Sequence, residues 1–332
     1  MDPGIVAKVV HGGKVPRQKN NTATHYIDFS ANFNPFPPRV AWSPDLALLA
    51  DYPDDEYLEL REAYARLVGR APEEICVGNG SAEIIRTFCH TVIREGMPVR
   101  IDPPTFGEYA LSARLAGGTV AAGSGGAGVR FLCNPNNPTG YLTPRSNIVE
   151  MLAAAEKADR VLFVDEAFIE LADPRQSVAD IASPHLFVMR SLTKEFAVPG
   201  IRFGFGIGDP ALVSRMEIMR PPWSVNSFAE SFALAAARKY RDLGESRHRI
   251  ENEREWICSR LLGAGIAYEP SATNFIMLYP GQPAAPLTAA LRTMGILVRD
   301  CTSFGKPEAI RVAVRTREEN RLLLEALFAC VR

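Results

Sequence analysis

Residues 189–208 read MRSLTKEFAVPGIRFGFGIG. Lys194 has two hydroxyls before it, Ser191 and Thr193, and Arg202 after it, with glycines at positions 200, 204, 206 and 208. A lysine amine becomes a nucleophile toward an aldehyde when its surroundings depress its pKa. Ser191, Thr193 and Arg202 have the chemistry to bind a phosphate dianion, the hydroxyls as donors and the guanidinium as a fork. One small molecule carrying both an aldehyde and a phosphate would explain the whole frame. Yet a single lysine near a turn is ordinarily a surface residue, and spacing by itself does not overturn that.

The surrounding pattern predicts an α/β fold. Short apolar runs read as strands at ICVG (75–78), VRID (99–102), VRFLCNP (129–135), VLFVDEA (161–167) and LFVMRS (186–191). Helical spacing fills Glu56–Gly69, Ser81–Ile93, Phe106–Gly118 and Arg145–Ala158. Such alternation predicts a mainly parallel, doubly wound sheet. Three parts follow. Residues 1–45 read as an irregular arm that leaves the main body and closes over the active site. Residues 46–225 form the large domain. Residues 226–332 form a bridging helix, continuous from Asn226 to about Leu262, and a smaller α+β domain containing NFIMLY, ILVRD, AIRVAV and a last helix. The low-complexity stretch Gly118–Arg130 reads as a loop.

Three more stretches bear on the lysine. NPNNPTG (134–140) ends one predicted strand, and VDEAFIE (164–170) ends the next, with Asp165 at its carboxyl end. VGNGSAEII (77–85) ends a strand in glycines and opens a helix at Ser81, whose free N–H groups suit a phosphate. Carboxyl ends of parallel strands are where such folds bind ligands. Pyridoxal 5'-phosphate has the required aldehyde and phosphate, and Asp165 could pair with its protonated ring nitrogen. Taken singly, Asp165 reads equally as a helix cap and GNG as a plain turn. Their joint occurrence in this order is the signal.

With these motifs in place, nearly the whole chain resembles the fold-type I pyridoxal-phosphate enzymes, the class that holds aspartate aminotransferase. The resemblance implies that Lys194 bonds the cofactor, Asp165 pairs with its ring nitrogen and Asn137 bonds its ring hydroxyl. It implies a phosphate site of Ser191, Thr193, Arg202 and the Gly80–Ser81–Ala82 backbone. Phe106, in PPTFGEY, would stack on the ring, although a core phenylalanine is the ordinary reading. Tyr52, in DYPDDEY, would reach the neighbouring subunit's cofactor, which implies a homodimer with shared sites. Two departures stand out. Phe168 replaces a tyrosine common among relatives, and the segment before FLCNP is short, lacking a helix usual there.

Within the class the chain resembles two subfamilies, histidinol-phosphate aminotransferases and, more closely, threonine-phosphate decarboxylases of cobalamin biosynthesis. HGG (11–13), DFSANFNPFPP (28–38), DEAF (165–168), SLTKEFAVPG (191–200), PPWSVNSFA (221–229) and ILVRDC (296–301) carry the closer likeness, with Glu195 a local departure. It implies a small phosphorylated amino acid as substrate. Arg311 would take its α-carboxylate, and Arg299, with His11, Gly12 and Asn32, its phosphate. Taken alone, either arginine reads as a surface ion pair, and His11 reads equally as a loop histidine. A non-catalytic ligand-binding protein on the same fold is the alternative of another class. The complete set Lys194, Asp165, Asn137 and Arg202 counts against it.

Bulk properties bound the rest. The chain has 332 residues, 47% hydrophobic and 23% charged, as suits a soluble globular protein of two domains. A net charge of -1 gives no global field for nucleic acid or an anionic membrane. No apolar run is long enough to span a membrane, and the N-terminus does not read as a secretory signal. The six cysteines are scattered without a C-x-x-C pair, which argues against a zinc site or disulfide framework. A cytoplasmic protein without a metal is the expectation.

Overall fold

The computed structural model describes residues 8–13, 26–121 and 126–331. After a short strand β1 (Ile27–Asp28), seven strands build the large sheet. They are β2 (Ile75–Gly78), β3 (Pro98–Ile101), β4 (Thr119–Ala121), β5 (Val129–Cys133), β6 (Val161–Asp165), β7 (Leu186–Ser191) and β8 (Gly204–Ile207), in the order β2-β8-β7-β6-β5-β3-β4. Neighbours pair in parallel except around β8, which runs antiparallel to both β2 and β7. Leu162, Val164, Leu186 and Val188 enter one core while Phe163, Phe187 and Met189 enter the other. Strands buried on both faces read as unbroken apolar runs, which is why the sequence announces them.

Helices cover each face. Leu58–Val68 and Arg145–Lys157 supply Leu60, Tyr64, Ile148 and Leu152 to the first core. Ser81–Val92, Glu108–Leu115 and Pro210–Met219 supply Phe88, Tyr109 and Met216 to the second. The C-terminal part carries a four-stranded sheet of β9 (Ala267–Tyr268), β10 (Phe275–Tyr279), β12 (Arg299–Asp300) and β13 (Ile310–Ala313), and a last helix, Arg317–Val331. A further strand, β11 (Ile296–Leu297), pairs in parallel with β1.

The structure differs from the sequence reading at four places. The pattern from Asn226 to Leu262 is two helices, Ser227–Ala237 and Leu243–Gly263, separated by a turn at Tyr240–Asp242 that brings Tyr240 into the core. Gly118–Arg130 is not all loop: Thr119–Ala121 forms the edge strand β4, while residues 122–125 lie outside the described residues. ILVRD is two short strands in different sheets, broken at Val298. The described part of the first 45 residues does not stand away from the body. Phe29, Ser30, Ala31, Asn32 and Asn34 are buried, and Phe29 O accepts a hydrogen bond from Ala313 N.

The packing is tight where β8 passes under the helix Ser81–Val92. A Cβ on Gly204 would lie 2.9 Å from Ser81 N and 3.0 Å from Arg190 O, both backbone atoms that cannot swing away. Gly204→Ala is therefore expected to cost about 1–3 kcal/mol by overpacking, read as a lowered urea midpoint. A wild-type midpoint would contradict the close approach.

Candidate active site

Three aligned strand ends make the floor of the site. Cys133 of β5 pairs with Asp165 of β6, and Asp165 with Met189 of β7. The segments leaving β5 and β6 carry Asn137, Ala167 and Phe168, while β7 ends in Ser191 and runs into the one-turn helix Leu192–Glu195 with Thr193 and Lys194. They open onto a cavity of about 660 Å³. The antiparallel β8 completes it. Because Gly204 pairs with both Ser191 and Gly78, the chain enters β8 from the same edge, and Arg202 lands beside Gly80. Gly80 sits at φ +77, and a Cβ there would lie 2.4 Å from Arg202 Nη2. Arg202 itself has φ +63, a left-handed conformation rare for an arginine. Ser81 and Ala82 open a helix of 12 residues toward the same wall. A cradle of helix N–H groups, two hydroxyls and a guanidinium is what a phosphate group requires.

Asp165 is held rigidly. Its Oδ2 accepts a hydrogen bond from Tyr109 Oη at 2.5 Å and its Oδ1 accepts one from Ala167 N at 2.9 Å. Burial nonetheless pushes its pKa up to about 6, against the pull of those two donors. Lys194 stands opposite in charge. Its removal from water, with Arg311 and Arg202 nearby, lowers its amine to about 8, and Asp165 opposes that shift. Its Nζ lies 4.8 Å from the centre of the Phe33 ring. A buried acid asking for a cation and an amine that sheds its proton fit a ring-nitrogen and aldehyde-bearing cofactor.

The roof comes from the arm and the C-terminal sheet. Arg299 and Arg311 are direct partners on the antiparallel strands β12 and β13, so both reach the cavity from one sheet face. Their hydrogen bonds run to neutral acceptors. Arg299 Nη2 donates to Val10 O at 2.7 Å and Ser303 Oγ at 2.6 Å. Arg311 donates to Asn137 Oδ1 and to Ser30 O at 2.9 Å, while its Nε has no partner. Desolvation lowers the Arg311 pKa to about 10, and Arg299 contributes in the same direction. Asn32 Oδ1 is buried and also without a partner. His11 Nε2 lies 2.9 Å from Glu108 Oε1 over the same cavity. A Cβ on Gly12 would lie 2.2 Å from Ser30 O, so only glycine lets the arm approach this closely. Two like charges on facing strand positions, with an orphan donor between the sheets, await an anion.

Of the residues singled out in the sequence, the structure brings Ser81, Ala82, Phe106, Asn137, Asp165, Ser191, Thr193, Lys194, Arg202, His11, Gly12, Asn32, Arg299 and Arg311 onto one cavity wall, with Gly80 directly behind Arg202. Tyr52 is not among them. It is 78% exposed and stacks on Trp223 at 4.5 Å. The sequence reading missed Tyr109, Glu108, Phe33 and Ser303. Tyr109 was within reach: it lies three residues after Phe106 at the start of a predicted helix, and such spacing shares a face. Among the described residues no cluster of side chains fits a metal ion, and no helix is long and apolar enough to cross a membrane.

The sequence profile of the family described as "Aminotransferase class I and II" matches residues 24–124 and 122–327. The chain belongs to this family. It is similar to a Caldanaerobacter subterraneus subsp. tengcongensis protein named "Putative threonine-phosphate decarboxylase", 35% identical over 90% of this chain and 88% of that protein. It is also similar to the histidinol-phosphate aminotransferase of Symbiobacterium thermophilum, 30% identical over 92% of this chain and 90% of that protein. The solved histidinol-phosphate aminotransferase of Sinorhizobium meliloti, in complex with pyridoxal-5'-phosphate, has the same fold, with a TM-score of 0.78, 24% identity and coverage of 91% and 89% of the two chains. The protein is a pyridoxal-phosphate-dependent enzyme of fold type I, and the cradle around Gly80, Arg202 and Asp165 fits that cofactor.

The lowered Lys194 pKa sets a pH dependence. Its neutral amine is the reactive form, and it becomes the major form above about 8 instead of above the ordinary 10.5. Covalent attachment of the cofactor to the apoprotein, trapped by borohydride and located by peptide mass, should rise to half its maximum near pH 8. A midpoint near 10.5 would show that the site does not depress this lysine.

Proposed function

We propose that the protein decarboxylates L-threonine O-3-phosphate to (R)-1-amino-2-propanol phosphate and CO2, a reaction that serves cobalamin biosynthesis. The observation that carries this reading is the facing pair Arg299 and Arg311 on β12 and β13. Partner residues of an antiparallel pair are only about 5 Å apart at Cβ, so the two anionic groups they receive must belong to a short molecule. Threonine phosphate is one: its carboxylate and phosphate are separated by two carbons. Histidinol phosphate is longer and has no carboxylate to offer Arg311. The similarity to the Caldanaerobacter protein supports the same reading.

In this proposal each residue has a stated task. Lys194 would hold the cofactor covalently, Asp165 its ring nitrogen and Asn137 its ring hydroxyl. Phe106 would cover its face, and Ser191, Thr193, Arg202 and the Gly80–Ser81–Ala82 backbone would hold its phosphate. Bound there, pyridoxal 5'-phosphate supplies an electron sink for the bond broken at the substrate's α-carbon. Arg311 takes the substrate carboxylate. Arg299, His11, Gly12 and Asn32 take its phosphate, with the arm (residues 1–45) closing over it from above the large domain (46–225) and the C-terminal domain (226–332). With both ends fixed, one torsion about the N–Cα bond remains, and it chooses between loss of CO2 and loss of the α-proton. Lys194, whose lowered pKa suits proton transfer, would deliver a proton to that carbon. A homodimer in the cytoplasm completes the proposal, with Tyr52 reaching the cofactor of the neighbouring subunit.

The histidinol-phosphate aminotransferase reading has its own support in the similarity to the Symbiobacterium enzyme. One assay separates the two. Purified enzyme with threonine phosphate should release CO2 and form little keto acid with 2-oxoglutarate. Interconversion of histidinol phosphate with its keto form, and no CO2 from threonine phosphate, would establish the aminotransferase instead. A cofactor-loaded protein that turns over neither would point to a ligand-binding role.

Two variants test the assignments. Arg299→Ala should weaken threonine phosphate by on the order of 2–5 kcal/mol, because the phosphate loses a desolvated partner. An unchanged KM would remove Arg299 from the substrate site. Tyr52→Phe should weaken cofactor retention by about 1 kcal/mol, the scale of one hydrogen bond. A fully active monomer in sedimentation would rule out the shared site.

A further inference from the structure

We propose that Glu195, hydrogen-bonded to Tyr240, is a positioning residue that fixes the Lys194 turn to the turn Tyr240–Asp242. The proposal rests on Lys194 as the lysine that holds the cofactor. It does not depend on which substrate is used.

Glu195 follows Lys194 directly, yet the two side chains part. Lys194 lines the cavity, whereas Glu195 is fully buried in the protein behind it. Its Oε2 is 2.6 Å from Tyr240 Oη. Tyr240 belongs to the turn Tyr240–Asp242, which joins the helix Ser227–Ala237 to the helix Leu243–Gly263 of the C-terminal part. The backbone of the Lys194 turn is held by Asn34. Lys194 O accepts from Asn34 N at 3.0 Å, and Glu195 O accepts from Asn34 Nδ2 at 2.8 Å. Three hydrogen bonds therefore fix where Lys194 points, and the only one made by a side chain of the turn itself is that of Glu195.

The surroundings decide the protonation state. Facing Glu195 are Tyr240, Arg190 of β7, Glu166 after β6, and Glu170 in the turn Ile169–Leu171, with Tyr64 packed against Tyr240. Arg190 is the cation of this group, and it is committed. It lies 3.1 Å from Glu166 and 2.8 Å from Glu170, and it donates to Ser177 Oγ. One guanidinium already serves two carboxylates, which leaves one negative charge uncompensated. A third ionised carboxylate would add a second to the buried cluster. Glu195 Oε1 has no hydrogen-bond partner. That is tolerable for the carbonyl oxygen of a neutral acid and costly for a carboxylate. Burial first, then the Glu170 charge, raise its pKa to about 8. The folded value lies above the ordinary 4.5, so the folded state binds the extra proton. The stability this gives is complete at low pH and is lost as pH rises from about 4.5 to about 8.

The test uses the holoenzyme and three variants, Glu195→Gln, Glu195→Ala and Tyr240→Phe. Glutamine keeps the shape and the hydrogen bond without an ionisable group. It should retain kcat within about twofold, and its Tm should gain on the wild type as pH is raised toward 8. Alanine, and phenylalanine at 240, should lower kcat about tenfold or more by misplacing Lys194, with KM unchanged because neither side chain touches substrate. In both, the pH midpoint of the bound cofactor's visible absorbance should move, while in the glutamine variant it should not. The proposal is overturned if glutamine is as damaging as alanine, if alanine and phenylalanine leave kcat and the absorbance midpoint unchanged, or if the Tm difference between glutamine and wild type does not vary with pH. Failure of the cofactor assignment would show separately, as borohydride labelling of a lysine other than Lys194.

Discussion

The backbone pairing of Gly204 with Ser191 on one side and Gly78 on the other is the constraint on which the site depends. It exists because β8 runs against its neighbours. A parallel strand there would send Arg202 to the opposite edge of the sheet, away from the helix that starts at Ser81. The antiparallel return instead brings three separate segments to one corner: the end of β2, the end of β7 and the start of β8. Glycine is required at that corner. Gly80 leaves room for the Arg202 guanidinium, and Gly204 leaves room for the Ser81 amide. Of the glycines after Lys194, Gly204 is a packing requirement of this corner, Gly206 and Gly208 make room for Phe187, and a Cβ on Gly200 would meet nothing within 4 Å.

Electrostatics explains why the corner is reactive. The floor holds one buried acid, Asp165, whose pKa is raised, and the walls hold Lys194 and Arg311, whose pKa values are lowered. Each shift has desolvation as its first cause, so burial penalises the charged form of each group. A ligand with a cationic nitrogen near Asp165 and anionic groups near Arg202, Arg299 and Arg311 relieves all of them together. Tyr109 adds the restraint that Asp165 cannot turn away to find another partner.

Much of this was legible in the sequence, and the limits have physical causes. Strands β5, β6 and β7 are buried on both faces, so they read as apolar runs, and the residues that follow them could be placed at their carboxyl ends. The strand β8 has only the residues GFGI, and nothing in its composition gives its direction. The arm was read as leaving the body because its sequence is irregular, with clusters of glycine, proline and asparagine. In the fold Ser30, Asn32 and Asn34 are buried, Asn34 with Glu195 O as a partner, so an irregular stretch rich in polar residues lies inside the protein. The break at Tyr240 was invisible because both flanking helices continue the same apolar spacing, and the residue that interrupts them does so to meet Glu195, far away in the chain. Tyr52, which the motif assigns to the neighbouring subunit's cofactor, lies on the surface of this chain against Trp223.

Segment 26–34 shows how the two halves act on one site. It pairs with β11 at Ile27, hands a carbonyl at Phe29 to β13, offers Ser30 O to Arg311, and ends with Asn34 holding the carbonyl of Lys194. The group that receives the substrate's carboxylate in this reading and the lysine that moves its protons are therefore spaced by one short stretch of extended chain. In the proposed reading the choice between breaking Cα–H and Cα–COO⁻ is a matter of one torsion, and the distance between the floor and the roof would set that torsion. Residues that alter this spacing without touching the ligand can redirect the reaction while the catalytic groups stay the same. This gives a physical reason why decarboxylases and aminotransferases can share a fold and a set of site residues, and why the identity of the reaction is harder to read than the identity of the site.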